Sequence, residues 1–347
     1  ENRQDVTNEG LSELLVDWRD SYKYEIDGVI VTDDKIYPRG SGNPEHAFAF
    51  KMVLSEQVAE AKVVDVLWAP SCHGYLKPRI QIEPVVLGGT TITYATAFNG
   101  EFVETNKLGI GAVVQLVRSG DVIPHILAVI TPATKAKMPD VPYKWNETHV
   151  DVMVLDPKAN EAVQLQCIIQ FFKDLKVDHF GEGNARRIVE AGFNTIAKVI
   201  HMTKDDFLTV EGFKEKSATK VHDSIRDKLA QASLAQVIGA SHIFGRGIGK
   251  KRVQPILDAY PDILTSEATP AEKIAMVKSV EGMADKTATI FVQHIPELME
   301  FLKEADLMDK LKPVEKKQYD TSNPLYGKNI VMTGSRDPDI VKYLADV

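Results

Sequence analysis

The chain has 347 residues, of which 44% are hydrophobic and 26% charged, and a formal net charge of −8. That length and composition describe a globular protein of about two to four domains, and they exclude a membrane-spanning helix, since no apolar run approaches the ~20 residues one needs. The negative charge excludes a global field drawing the chain to nucleic acid, so any such contact has to be local. Cys72 and Cys167, 95 residues apart, are too few for a disulfide scaffold or a four-cysteine zinc site and fit a reducing compartment. Glu1 to Asp5 show neither an initiating Met nor a signal-peptide pattern.

Leu11, Leu14, Leu15 and Trp18 recur at spacings of three and four, which predicts a helix within 1–22. Tyr24-Glu25-Ile26-Asp27-Gly28-Val29-Ile30-Val31 then reads as a strand rich in β-branched residues. Ala47-Phe48-Ala49-Phe50-Lys51 alternates as a half-buried strand does and ends on a lysine. A carboxylate on one buried strand and an amine on the next suit a metal-bound phosphate: the carboxylate takes the cation and the lysine offsets phosphate charge. On these residues alone, Asp27-Gly28 is more simply turn chemistry and Lys51 a solvated strand end.

Val63 to Leu67, Arg79 to Val86, Thr91 to Ala95 and Ala112 to Val117 are β-rich runs punctuated by glycines, which predicts a small barrel such as an OB-fold. A proline-containing stretch follows, in which Val150, Val152 and Val154 alternate as in a hairpin. Residues 166–310 are helical and repetitive. With Gly181, Gly212, Gly247 and Gly282 as reference points the spacings are 31, 35 and 35, so one supersecondary unit is used four times. A glycine-rich hairpin leaves backbone N–H groups at a helix N-terminus free for a phosphate oxygen. The third copy is the richest, with Gly247 and Gly249 flanked by Arg246, Lys250, Lys251 and Arg252. The first has Gly181 and Gly183, with Arg186 and Arg187 behind. The second and fourth have Lys214 and Ala284 where a second Gly would sit, and read as packing halves. Residues 311–323 are polar and linker-like.

Several of these stretches resemble known motifs. Glu25 to Val31 followed by Ala47 to Lys51, with 24 residues between Asp27 and Lys51, is similar to two successive nucleotidyltransferase motifs of DNA ligases. Ile82-Glu83-Pro84-Val85, then Ala95-Thr96, then Arg118-Ser119-Gly120-Asp121-Val122-Ile123-Pro124 resemble the OB domain of the NAD-dependent DNA ligases, the last being the most specific match. The glycine repeats resemble helix-hairpin-helix motifs, and Tyr326-Gly327-Lys328 with Thr333-Gly334 resembles the opening of a BRCT domain. In family order these cover nearly the whole chain. The resemblance implies a multidomain α+β protein: the end of an adenylation (nucleotidyltransferase) domain in 1–56, an OB-fold in 57–131 and a degenerate zinc-finger spacer in 132–165. A helix-hairpin-helix domain in 166–310, a linker in 311–323 and the start of a BRCT domain in 324–347 complete it.

The activity implied is the sealing of nicks in duplex DNA, in replication and repair, with NAD and Mg2+ as cofactors. In the family a lysine takes AMP from NAD, AMP passes to the 5′-phosphate, and the 3′-hydroxyl displaces it. Carried over residue by residue, Asp27 and Lys51 are catalytic, and Arg19, Asp27, Gly28 and Lys51 face the cofactor. Arg118, Gly181, Gly183, Arg246, Gly247, Gly249, Lys250 and Lys251 contact DNA. The expected location is a bacterial cytoplasm or the host cell of a virus, with no membrane partner.

The chain also departs from the family. Asp27-Gly28 is its only Asp-Gly and no Lys-x-Asp-Gly nucleophile is present. Thr32 stands where the motif has Lys, and Ser71-Cys72-His73-Gly74 replaces Gly-Arg-Thr-Gly. The zinc-finger cysteines are missing, so no zinc and no metal-ligating site residues are expected. These departures lead us to expect the C-terminal part of such a ligase, as a fragment or as a subunit whose N-terminal partner polypeptide carries the nucleophilic lysine. The alternatives are a non-catalytic, ligase-derived DNA-binding scaffold and a helix-hairpin-helix repair module.

Overall fold

The computed structural model describes residues 5–24, 26–38, 44–51, 58–87, 89–118 and 124–312, together with 340 and 343. The chain divides into two compact units, Glu1–Lys173 with His179–Thr195, and Asp174–Asp178 with Ile196–Val347.

The first unit opens with helix α1 (Asn8–Ser21), whose N-cap Thr7 accepts a hydrogen bond from the Gly10 amide at 3.1 Å. Leu11 and Leu15 on its apolar stripe bury against Val29, with Trp18, Ile26, Val31 and Phe50 around them. Strand β1 (Val29–Thr32) pairs antiparallel with β2 (Ala47–Phe50), Val29 opposite Phe50 and Thr32 opposite Ala47. The strand therefore starts at Val29 and not at Tyr24. Asp27 and Gly28 precede it because Arg19 draws in the carbonyls of Ile26 and Asp27, which a ladder would otherwise use.

A closed five-stranded barrel follows: β3 (Val58–Pro70), β4 (Leu76–Leu87), β5 (Thr90–Thr96), β6 (Val113–Arg118) and β7 (Pro124–Thr131), in the order β3-β4-β5-β7-β6. This is the OB arrangement. Register breaks between Val63 and Asp65 and between Gln81 and Val85 let the long strands coil far enough to close. Val63, Val66, Ile80, Ile82, Leu87, Leu108, Val114 and Leu116 fill the interior. Helix α2 (Gly100–Thr105) sits between β5 and β6, capped by Asn99. Strand β7 and α2 are absent from the sequence reading: six residues give too short a helical period to detect, and β7 follows the motif that ends at Pro124.

Beyond the barrel, β8 (Tyr143–Trp145) and β9 (Val152–Val154) form the expected hairpin and bury Val152 and Val154 against Leu76 and Val163. Its turn is closed by Asn146, whose Oδ1 accepts from the amides of Val150 and Asp151, while Trp145 and His149 stack at 3.9 Å. Val163 belongs to α3 (Glu161–Asp174), and α4 (Glu182–Glu190) completes the unit.

The second unit is all helical: α5 (Ile196–His201), α6 (Lys204–Thr209), α7 (Glu215–Gln231), α8 (Leu234–Ser241), α9 (Lys250–Ala259), α10 (Pro270–Lys278), α11 (Asp285–Gln293), α12 (Ile295–Glu304) and a 3-10 turn, Met308–Leu311. Capping boxes at Thr203, Ser233 and Thr269 start α6, α8 and α10. The turns 210–213, 245–248 and 280–283 carry fourth-to-first backbone hydrogen bonds of 3.1 to 3.4 Å. Their third residues, Gly212, Gly247 and Gly282, have φ of 82°, 91° and 80°, the conformation a type II turn demands there.

That geometry corrects the register of the first repeat. Lys176 and His179 both have positive φ between α3 and α4, at 58° and 62°, and it is His179 that stands two residues before the N-cap Gly181, as Gly212, Gly247 and Gly282 stand before theirs. Gly181 thus corresponds to Lys214, Gly249 and Ala284, the N-caps of α7, α9 and α11, and not to Gly212. Measured from His179 the spacings are 33, 35 and 35. Most of the linker, 313–323, and nearly all of the BRCT-like stretch lie outside the described residues.

Candidate phosphate and nucleic-acid sites

Asp27 and Lys51, 24 residues apart in sequence, meet at the open end of the β1–β2 pair, with Lys51 Nζ donating to Asp27 Oδ2 at 2.6 Å. Both side chains are about half exposed, at 54% and 49%, and not on buried strands as expected. An exposed pair of this kind adds about 1 kcal/mol or less to stability. It holds the Asp27 carboxyl below its ordinary range, chiefly through the Lys51 hydrogen bond, with the positive charges of Lys51 and Arg19 adding to it.

Arg19 reaches the same corner from α1. Its Nε and Nη2 donate to the carbonyls of Ile26 and Asp27 at 3.0 and 3.1 Å, while Nη1 is buried without a hydrogen-bond partner. Gly28 has a steric reason: a Cβ there would lie 2.7 Å from the Phe50 carbonyl and 2.8 Å from Lys51 Cγ. It lets β2 and the Lys51 stem pass closely, which places the amine beside Asp27. Thr32, at the far end of β1, donates to the Asp33 carbonyl at 3.3 Å.

The four hairpins differ in charge more than in backbone. Anions favour helix N-termini because the amides and dipole point at them, and an acid in the first turn opposes that. Helices α4, α7 and α11 carry Glu182, Glu215 and Asp285 in their first turns, whereas α9 has no acid and begins Lys250-Lys251-Arg252. Those three side chains are exposed, and among the described residues no carboxylate pairs with them. In the first hairpin Arg186 pairs with Glu182 at 3.2 Å, and Arg187 donates to the Gly183 carbonyl and Asn184. In the second, the Ser217 hydroxyl accepts from the Lys214 amide and donates to its carbonyl, sealing the turn.

A Cβ added at Gly181, Gly247 or Gly249 meets nothing within 4 Å, and at Gly183 it meets only Arg187 Nη2 at 3.9 Å. The space over these N-termini is open. Gly239, on α8, is a functional position absent from the sequence reading: a Cβ there would lie 2.6 Å from the Lys250 amide nitrogen. Its absent side chain lets the start of α9 rest on α8. Its only local signal is a glycine inside a helical pattern, which usually has a packing reason.

Of the remaining predicted contacts, Arg118 ends β6 opposite Pro124, and residues 119–123 of its motif lie outside the described residues. The Ser71–Gly74 loop is a tight turn: the Gly74 amide donates to the Ser71 carbonyl, and Cys167 Sγ donates to the Cys72 carbonyl at 3.2 Å. Burial, and to a smaller degree the nearby Cys72, push the Cys167 thiol up to about 12, so it stays protonated.

Comparison with known families matches residues 60–138 to the NAD-dependent DNA ligase OB-fold domain and residues 175–227 to the SAM-like helix-hairpin-helix tandem. A DNA ligase of Acanthamoeba polyphaga mimivirus is 35% identical over 337 residues, covering 96% of this chain and 52% of that protein. A putative DNA ligase of Invertebrate iridescent virus 6 is 28% identical over 83% of this chain and 45% of its own length. A DNA ligase of Leptospira interrogans is 27% identical over 91% of this chain and 49% of its own. The chain spans about half the length of these relatives.

Proposed function

The chain belongs to the NAD-dependent DNA ligases of bacterial and viral type, and we propose that within such an enzyme it supplies the rear of the nucleotide site and the clamp that holds nicked duplex DNA. The observation that carries this reading is the N-terminus of α9, free of acids, open above Gly249 and flanked by Lys250, Lys251 and Arg252. Such a site binds phosphate oxygens whatever the base sequence, as a nick-sealing enzyme requires. Residues 1–56 are read as the end of a nucleotidyltransferase domain and 324–347 as the start of a BRCT domain.

In this reading Asp27 and Lys51 work on the nucleotide side of adenylyl transfer to the 5′-phosphate. Asp27, like any exposed carboxylate, is ionised at neutral pH, and with Oδ2 held by Lys51 its Oδ1 remains as a hard oxygen donor that suits Mg2+. The metal, when bound, supplies neutralisation of phosphate charge. Lys51 suits a phosphate oxygen of NAD and Arg19 fixes the turn that presents Asp27. Positioned charge does most of the work in phosphoryl transfer.

Binding of a nicked duplex followed by fluorescence anisotropy tests the clamp. Gly249→Asp caps α9 and places a carboxylate over its N-terminus, and is expected to weaken binding at least about tenfold. Removing Lys250 or Lys251 should reduce the salt slope by about one each. Unchanged binding in these variants would remove the third hairpin from the site. For the chemistry, a polypeptide carrying a Lys-x-Asp-Gly nucleophile is added with NAD and Mg2+. An AMP adduct and sealing are expected; their absence would favour a DNA-binding scaffold, with Thr32 as its mark.

A further inference from the structure

The two cysteines take no part in the clamp or in the Asp27–Lys51 pair, yet the first unit brings them together across 95 residues of chain. Cys72 stands in the turn that joins β3 to β4, and Cys167 in the middle of α3. The Cys167 thiol donates to the Cys72 carbonyl at 3.2 Å, and both residues are part-buried. The turn itself is pinned. The Ser71 amide donates to the Tyr75 carbonyl at 2.8 Å, the Gly74 amide to the Ser71 carbonyl at 2.9 Å, and the Val154 amide to the Gly74 carbonyl at 3.0 Å. Gly74 has φ of 78°, and a Cβ there would lie 2.7 Å from Pro157 Cγ, so β9 and the segment leading into α3 press directly on the turn. Cys167 packs against the same small core, made of Leu76, Val152, Val154 and Val163.

The two thiols are set up differently. A ring nitrogen of His73 lies within 4.8 Å of Cys72 Sγ. An imidazole beside a thiol takes up its proton and leaves the thiolate, which is the reactive form. Cys167 is kept protonated by its burial and does not start a reaction with an oxidant. A thiol placed beside a base, with a second thiol lying against its own main chain, is the arrangement of a reactive and a resolving cysteine.

We propose that Cys72 and Cys167 form a reversible disulfide within one chain, with a low-molecular-weight disulfide of the glutathione type as oxidant. The Cys72 thiolate attacks one sulfur of that disulfide, its S–S bond breaks, and one small thiolate leaves with the proton that His73 had taken. The Cys167 sulfur then attacks Cys72 Sγ in the mixed disulfide and passes its own proton to the second departing thiolate. The chain gives up two electrons and two thiol hydrogens, and the small disulfide is reduced to two thiols. Proximity, not acidity, makes Cys167 the resolving group. A disulfide needs Cα atoms about 4.4–6.8 Å apart, a span that a thiol in contact with the other cysteine's main chain allows. The bond ties the β3–β4 turn to α3 and closes a loop of 95 residues, long enough to restrict the unfolded chain strongly.

The test uses the full chain, first reduced and then equilibrated in glutathione buffers of rising oxidised fraction. Thiols are counted after unfolding, and the intact mass is measured. The wild type should lose both thiols, become lighter by the two thiol hydrogens and yield a peptide pair joined through Cys72 and Cys167, at a rate independent of protein concentration. Its melting temperature should rise by about 5 °C or more on oxidation and return on reduction. Cys167→Ser should stop at a glutathione adduct on Cys72, and Cys72→Ser should leave Cys167 unreacted. His73→Gln should slow the first step about tenfold at neutral pH, and the difference should close as pH rises past the ordinary thiol value of about 8.5. Equal rates at neutral pH would overturn the role given to His73. A wild type that keeps both thiols in fully oxidised buffer, stops at glutathione adducts, or links only to a second copy would overturn the proposal. Those readings come from the wild type, so the folding of a variant does not decide them, and none involves DNA, so they stand apart from the clamp.

Discussion

Gly239 allows the hairpin argument to be tested without touching any DNA contact. A methyl placed there would lie 2.6 Å from the Lys250 nitrogen, 3.2 Å from its Cα and 3.4 Å from the Gly249 carbonyl carbon. All three are backbone atoms, so the clash cannot be relieved by a rotamer change; Gly239→Ala has to push α8 away from the first turn of α9. Overpacking of this kind costs about 1–3 kcal/mol, and the better helix propensity of Ala returns roughly 0.5–1 kcal/mol. The net expectation is a loss of about 1–2 kcal/mol, or a melting temperature lower by roughly 2–8 °C for a unit of this size. Nicked-duplex binding should weaken with it, because the displaced backbone is the one that presents the α9 amides. Gly249→Asp is the contrast. Nothing lies within 4 Å of a Cβ there and the backbone φ of −102° suits any residue, so stability should stay within about 0.5 kcal/mol while binding falls. If Gly239→Ala melts at or above the wild type and binds the nicked duplex normally, the packing argument is wrong.

Three further outcomes follow from named contacts. His179→Gly relieves a left-handed residue at a cost of about 1–2 kcal/mol, less about 0.4–1 for a freer unfolded chain, so a gain of about 0.5–1 kcal/mol in thermal melting is expected; a loss would refute the corrected register of the first hairpin. The Asp27 carboxyl is held below its ordinary 3.8, so the pair with Lys51 stabilises the fold above that pH and the contribution is lost as pH falls through the lower folded value. Denaturant titrations of wild type and Lys51→Met should differ by under about 1 kcal/mol near neutrality, and a difference that persists at full protonation would contradict this. Asn146→Ala removes the acceptor for the Val150 and Asp151 amides and should cost about 1–3 kcal/mol; a change below about 0.5 kcal/mol would show that the β8–β9 turn does not depend on it.

What could be read from sequence follows periodicity and local chemistry. The α1 stripe of Leu11 and Leu15, the β-rich runs of β3 to β6, and the glycines of the later turns are patterns that neighbouring residues impose on each other, and the structure carries them. The meeting of Asp27 and Lys51 was legible through the resemblance, since two motifs in order fix one pairing. The pairing also explains Gly28, whose close approach is to Phe50 and Lys51. The first hairpin was misregistered because His179 occupies the left-handed position that the others give to glycine, so the nearest glycine was taken in its place. Gly239 and the contact of Cys167 with the Cys72 carbonyl were out of reach for a different reason. Each depends on which elements lie side by side, and no local pattern encodes that.

If the proposed clamp is right, the difference among the hairpins explains how a chain of net charge −8 would hold DNA. Screening confines exposed charges to a range of about 8 Å at physiological salt, so a phosphate at one helix start responds to the side chains of that turn and not to the protein's total. Four turns share one backbone, and a first-turn acid at α4, α7 and α11 sets a repelling charge against the amides there. Of the four hairpins, α9 alone has no first-turn acid and carries cations that no carboxylate pairs with among the described residues, and Gly239 lets that turn rest on the neighbouring helix. In the proposed reading, repetition of the turn gives the second unit its packing, and the acid-free start of α9 gives it a binding site. A first-turn acid restored by Lys250→Glu should make the third hairpin behave like the other three, and Gly249→Asp, which puts the carboxylate at the cap, should act in the same direction.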